Sequence, residues 1–338
     1  MINIPLYKCQ FKKERYTIVR GDEFEVSGFI YSSGVHAIEI KNSKGRLVVL
    51  PYLGQMIWDA EFLGVNMCMK SMFSEPKIAK SIVETYGCFS FHSGLLRNGC
   101  PSVDDDHILH GEMACADIDS AWLEIDESSV TLRGSYEYVM GFGNHYLAQP
   151  SITLGFGDST FLINMHVTNL GAQPMPLQYM CHMNSAYFEN AEFNQNIPDS
   201  AIKLRESIPN HVTPTPRWLA YNEMLKSSKP IKELDDSEMY DPEIVYFMDD
   251  LDRHAEIAIF EMKVSDSRKF ITEFDTKQFN YATRWILYNP DQSVGAYVLP
   301  ATCRPEGYLA AKKSETLIYL DTNQTREFSV KTGIEVIE

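Results

Sequence analysis

Residues 160–184 read TFLINMHVTNLGAQPMPLQYMCHMN. In the first ten, Phe161, Ile163, Met165 and Val167 alternate with Leu162, Asn164, His166 and Thr168, the period-2 pattern of a strand with one face in a core. Leu170-Gly-Ala-Gln-Pro174 interrupts the pattern as a short turn. From Leu177 to Asn184 a second strand follows, and its alternation places Gln178, Met180, His182 and Asn184 on one face. The brevity of the connection predicts that the two strands pair as a hairpin.

The same alternation recurs on both sides, punctuated by Gly, Asn, Asp and Pro. Strands are predicted at His36–Lys41, Arg46–Leu50, Trp122–Asp126, Val130–Val139, Ser151–Phe156, Glu243–Met248, Glu256–Val264, Arg284–Tyr288 and Arg326–Ile337. Helical periodicity is confined to short runs near Lys77–Glu84, Leu219–Ser227 and Pro305–Lys313, too few for a parallel βαβ architecture. The expected fold is therefore all-β, a large antiparallel sandwich in preference to a closed barrel. One such domain accommodates all 338 residues. The polar, Pro-containing segment 199–242 reads as a long excursion covering one edge of a site, not as a linker.

With 44% hydrophobic and 12% aromatic residues the chain can bury a substantial core. Its net charge of −16 argues against nucleic acid and anionic membranes, which are held by clustered Lys and Arg. The opening MINIPLYKCQFKKER lacks the apolar stretch of a secretion signal, and no run approaches the roughly 18 apolar residues of a membrane span, so a cytoplasmic location is expected. Seven cysteines (Cys9, Cys68, Cys88, Cys100, Cys115, Cys181 and Cys303) form no CxxC pair and read as reduced thiols, mostly small core residues. No P-loop, dinucleotide fingerprint, HExxH, GxSxG or zinc spacing occurs, so neither a cofactor nor a metal is expected. His107 and His110, three apart, are only a weak metal pair.

Three clusters carry groups suited to chemistry. His182 stands beside Asn184 on its strand face, and is either a hydrogen-bonded sheet histidine or a general acid or base. SGLLRNGCPSVDDDHILHG, residues 93–111, is rich in Gly and Asp and hence loop-like; it contains Arg97 and His110. In YVLPATCRPEG, residues 297–307, two prolines and a glycine stop a strand. Glu306 at that break is either an inward-facing base or a solvated glutamate of a helix first turn.

On an all-β chain and in this order, the three clusters resemble the aldose 1-epimerase (galactose mutarotase) superfamily, in a divergent branch. SGLLRNG followed by LHG is similar to that family's arginine loop and histidine-glycine motif. VTNLGAQPMPLQYMCHMNSAYF is similar to its strand, turn and histidine-bearing strand. The resemblance implies a supersandwich with no required cofactor and a free aldose or deoxyaldose as small-molecule partner. It places the general acid at His182, and Arg97, His110, Asn184 and Trp285 at the sugar. The carboxylate that binds a ring hydroxyl falls on Asp241 or Glu243, with Glu243 favoured because it opens the apolar strand Ile244–Met248. The general base is expected in an apolar strand that here reads Val298-Leu299-Pro300, so the nearest carboxylate, Glu306, takes that role. The activity implied is α/β anomer interconversion by acid/base ring opening. A sugar-binding or sensing protein that has lost the base is the competing reading. A monomer and a homodimer are equally compatible with the sequence.

Overall fold

The computed structural model describes residues 1–337. Antiparallel strands build two sheets, of nine and thirteen strands. Their inner faces meet through large apolar side chains: Phe161 of the smaller sheet stacks near Phe62 of the larger (5.8 Å between ring centroids), and Phe328 lies 4.9 Å from Tyr179. The antiparallel all-β sandwich expected from the alternation is the fold. Strands His36–Asn42, Gly45–Val49, Ser129–Val139, Ile244–Met248, Ile257–Ser265 and Thr325–Val336 lie close to where the pattern placed them.

Two local expectations are corrected. Thr160–Asn169 and Met175–Met183 do not form a hairpin. The first pairs with His145–Gly155 and Thr325–Val336 in the nine-stranded sheet; the second pairs with Ser90–Leu95 and Ser293–Ala301 in the other. The intervening turn carries the chain from one sheet to the other. Pro174 and Pro176 remove backbone N–H groups that a hairpin ladder would use, while Asn169 Nδ2 donates to Gln173 O and Leu320 O and fixes the crossing. The segment Ser93–Gly111 is not wholly a loop, because Ser90–Leu95 is a fully buried strand. Of the three helical runs, two become helices, Pro216–Lys226 and Tyr308–Lys313; the first retains only a 3-10 turn at Ile82–Glu84. Thr215 caps the longer helix by accepting from Trp218 N, with Pro216 at its first position, where no N–H is needed.

The larger sheet positions the site. Its neighbours run Ile202–Leu204, Ile244–Met248, Tyr281–Tyr288, Ser293–Ala301, Met175–Met183, Ser90–Leu95 and then Ile57–Phe62. Val245 faces Trp285, Thr283 faces Leu299, and His182 faces Phe91 across the ladders. Because directly opposed residues share a face, these side chains assemble on the side of the sheet away from the inter-sheet core. The described residues form no disulfide; Cys88, Cys115, Cys181 and Cys303 are buried and Cys9 is exposed. No described helix is long and apolar enough to cross a membrane.

Candidate active site

On that outer face lies a cavity of about 370 Å³, within the range of small-molecule sites. The sheet supplies a floor of Met180, His182, Thr283, Trp285 and Leu299, with Glu243 just before the strand Ile244–Met248. Loops raise the walls: Tyr86 and His110 from the first third of the chain, Arg205 and His211 from the segment after Ile202–Leu204. Most of the lining is apolar, so each polar group projects into a medium that strengthens its interactions.

His182 is 4% exposed. Its ring stacks on Phe91 at 4.4 Å, meets His110 edge-on at 4.7 Å, and has Nε2 3.3 Å from the Tyr86 hydroxyl. Burial lowers its pKa to about 3, so the imidazole is neutral. His110 is likewise driven well below the ordinary histidine value, by burial first and then by His182, His211 and His107. Its backbone is left-handed (φ 62°), a conformation costing a non-glycine residue of order 1 kcal/mol or more. That conformation is imposed by three contacts: His110 N donates to Gly99 O, His110 O accepts from Gly94 N, and Gly111 packs its Cα against Arg97 O, where a Cβ would come within 1.9 Å.

Glu243 is the buried carboxylate of the cavity, 8% exposed. Desolvation raises its pKa, opposed by the Arg205 guanidinium and the Trp285 indole. Arg205 Nη1 stands 3.6 Å and His211 Nε2 3.9 Å from Glu243 Oε1. Several buried polar atoms here, among them His182 Nδ1, Asn184 Oδ1, Thr283 Oγ1 and Trp285 Nε1, have no protein hydrogen-bond partner of good geometry, an arrangement that native proteins seldom leave without a purpose.

Of the residues singled out from sequence, the structure therefore brings His182, His110, Glu243 and Trp285 together, sets Asn184 against His182 outside the lining, and leaves Arg97 and Glu306 apart. Arg97 turns outward: its guanidinium lies 3.9 Å over the Tyr308 ring and donates to Leu96 O. Asn184 is fully buried, with Nδ2 donating to Cys88 O and its side chain in contact with His182. Glu306 points away from the cavity, which its neighbour Pro305 lines; it accepts from Ser207 Oγ at 2.6 Å and lies beside Arg304. Glu306 forms an isolated bridge to Gly99. Asp241 is exposed and accepts from Asn289. Arg205, His211 and Tyr86 escaped the sequence reading, since they sit in segments without periodicity. No cluster of three or more metal-ligating side chains occurs among the described residues.

Residues 32–334 match the model of a family described as a domain of unknown function, DUF4432. The chain belongs to the DUF4432 family. No functionally described protein shows significant sequence similarity to it. Among solved structures it is similar to a candidate aldose 1-epimerase from Klebsiella pneumoniae subsp. pneumoniae MGH 78578 (TM-score 0.78, 15% identity, 99% of this chain and 91% of that one). It is also similar to Slr1438 from Synechocystis sp. PCC 6803 (0.66, 13%, 89% and 96%). A third is a galactose mutarotase-like protein from Clostridium acetobutylicum (0.63, 12%, 94% and 100%). At these identities the likeness establishes that this DUF4432 protein has the galactose mutarotase-like fold.

Proposed function

We propose that the chain binds a free aldose in this cavity and interconverts its α and β anomers by general acid/base ring opening, with His182 and Glu243 as the proton-transfer pair. One observation carries the reading: a buried carboxylate of raised pKa and a buried imidazole of lowered pKa line the same small cavity. Ring opening needs one proton on the pair, delivered to the ring oxygen while another leaves the anomeric hydroxyl. Burial lowers the pKa of His182 and raises that of Glu243, while the Arg205 guanidinium 3.6 Å away favours the ionised carboxylate. One of the two protonates the ring oxygen while the other accepts the anomeric proton, and rotation about C1–C2 followed by the reverse transfers closes the other anomer. The resemblance places the acid at His182, and the pH profile of the exchange decides which member of the pair takes that role. Trp285 offers a ring face to the sugar, and Arg205, His211 and Tyr86 offer hydrogen-bonding groups to its hydroxyls.

Magnetisation-exchange NMR over a panel of aldoses and deoxyaldoses tests the proposal. A sugar whose anomers exchange faster with protein than in buffer is expected, with the acceleration reduced about 10²- to 10⁴-fold in His182→Ala and in Glu243→Gln. A rate that falls as pH rises through the raised pKa of Glu243 assigns it as the acid, and a rate that falls on acidification assigns it as the base.

The second reading is a sugar-binding protein without catalysis. It is favoured by Leu299, which lines the cavity where the resemblance expects the base. Saturation transfer to a sugar whose anomers exchange no faster than in buffer would support it.

A further inference from the structure

His110 is gripped from behind by two side chains that do not line the cavity. Ser93 and Asn98 are fully buried. Ser93 Oγ lies 2.5 Å from Asn98 Oδ1, 3.0 Å from His110 Nδ1 and 3.3 Å from His110 O. A hydroxyl carries one hydrogen and two lone pairs. With the Asn98 amide oriented so that Nδ2 faces the Cys303 thiol and Oδ1 faces Ser93, the shortest contact takes that hydrogen to Asn98 Oδ1, and Ser93 Oγ meets His110 Nδ1 as an acceptor. That contact requires a hydrogen on Nδ1. Because His110 is neutral, it carries no second ring hydrogen, and Nε2 is left as a bare lone pair. The ring has little freedom to reverse: Phe91 lies 5.4 Å and His182 4.7 Å from it, centroid to centroid, and its backbone is held on both sides by Gly94 and Gly99.

We infer that Ser93 and Asn98 are positioning residues that lock His110 in the Nδ1–H tautomer and present Nε2 to the cavity as a hydrogen-bond acceptor. The occupant of that acceptor, a sugar hydroxyl, rests on the function proposed above; the tautomer itself is a property of the free protein. An acceptor-only group at this wall makes the cavity selective. A ligand with an O–H at this position satisfies the lone pair, whereas one with a carbonyl or ether oxygen there meets two opposed lone pairs.

The test is a long-range ¹H–¹⁵N correlation spectrum of the ligand-free protein labelled with ¹⁵N-histidine, which distinguishes the two ring tautomers. His110 is assigned by the signals lost in His110→Gln. The expected pattern is a protonated Nδ1 and a bare Nε2; a protonated Nε2 in the wild-type protein overturns the inference. Asn98→Ala releases the Ser93 hydrogen to His110 Nδ1, so the tautomer should switch toward Nε2–H. Ser93→Ala should give a mixture, and Ser93→Thr should restore the wild-type pattern. A folded Asn98→Ala protein whose His110 tautomer is unchanged also overturns the positioning role. The wild-type spectrum decides the tautomer even where a variant fails to fold. Should no aldose bind, that failure falls on the proposed function and leaves the tautomer assignment standing.

Discussion

Glu243 and Glu306 carry the same group in two settings, and the contrast assigns them different work. Glu243 lies in the cavity beside Arg205, with its ionised form disfavoured by burial. Glu306 is tied to it only at a distance: Arg205 Nε donates to Ser207 Oγ, which donates to Glu306. Glu306→Gln keeps an oxygen for Ser207 and leaves the cavity untouched, so anomer exchange should stay within about twofold of wild type, whereas Glu243→Gln should lose orders of magnitude. An equal loss in both variants would return the base role to Glu306. Local pattern could not separate these residues, because the Pro-Glu-Gly break reads equally well with the glutamate inward or outward. What distinguishes Glu306 is its hydrogen bond from Ser207, outside the cavity lining. Arg205 and His211 show the opposite difficulty: nothing in a polar, aperiodic segment marks them, and it is chain topology that brings them to Glu243.

At the scale of elements, the site depends on how loop 96–111 is folded back on the sheet. Gly99 packs against the Pro305 backbone and Gly111 against Arg97 O, both with positive φ, and a Cβ at either would overlap main chain. Gly111→Ala combines an unfavourable φ with a contact that cannot relax by side-chain motion, so it should destabilise the fold by about 3 kcal/mol, read as a lowered urea midpoint. Surviving protein should lose anomer exchange as well, because the His110 backbone is shaped by the same packing. The strands themselves were legible in the sequence, since one-sided burial writes a period of two into residues such as Phe161, Ile163, Met165 and Val167. Their partners were less so. A five-residue connection between Asn169 and Met175 suits a hairpin by length, yet the prolines make it a crossing between sheets. The strand Ser90–Leu95 was hidden for a related reason: buried on both faces, SFHSGL has no alternation to show.

For the whole molecule, buried histidines couple stability to pH. His92 is fully buried between the sheets with Nδ1 2.8 Å from Tyr179 Oη, and burial lowers its pKa to about 3, as it does that of His182. In the unfolded chain both return to about 6.5. Above that value neither state binds a proton and stability is fully present. As pH falls below it, the unfolded chain takes up protons that the native state refuses, and stability is lost until the folded pKa is reached. One pH unit corresponds to roughly 1.4 kcal/mol per group, so at pH 5 each histidine costs about 2 kcal/mol and the two together about 4. That is a large share of the 5–15 kcal/mol typical of folded domains, and His110 adds to it in the same direction. Urea unfolding should therefore show little change above about pH 6.5 and a steady loss of stability from there to about pH 5. His92→Gln, which removes a titrating group away from the cavity, should flatten that fall by about 2 kcal/mol while leaving anomer exchange intact. An unchanged slope would mean that His92 titrates alike in both states, and would place the acid sensitivity in the cavity histidines.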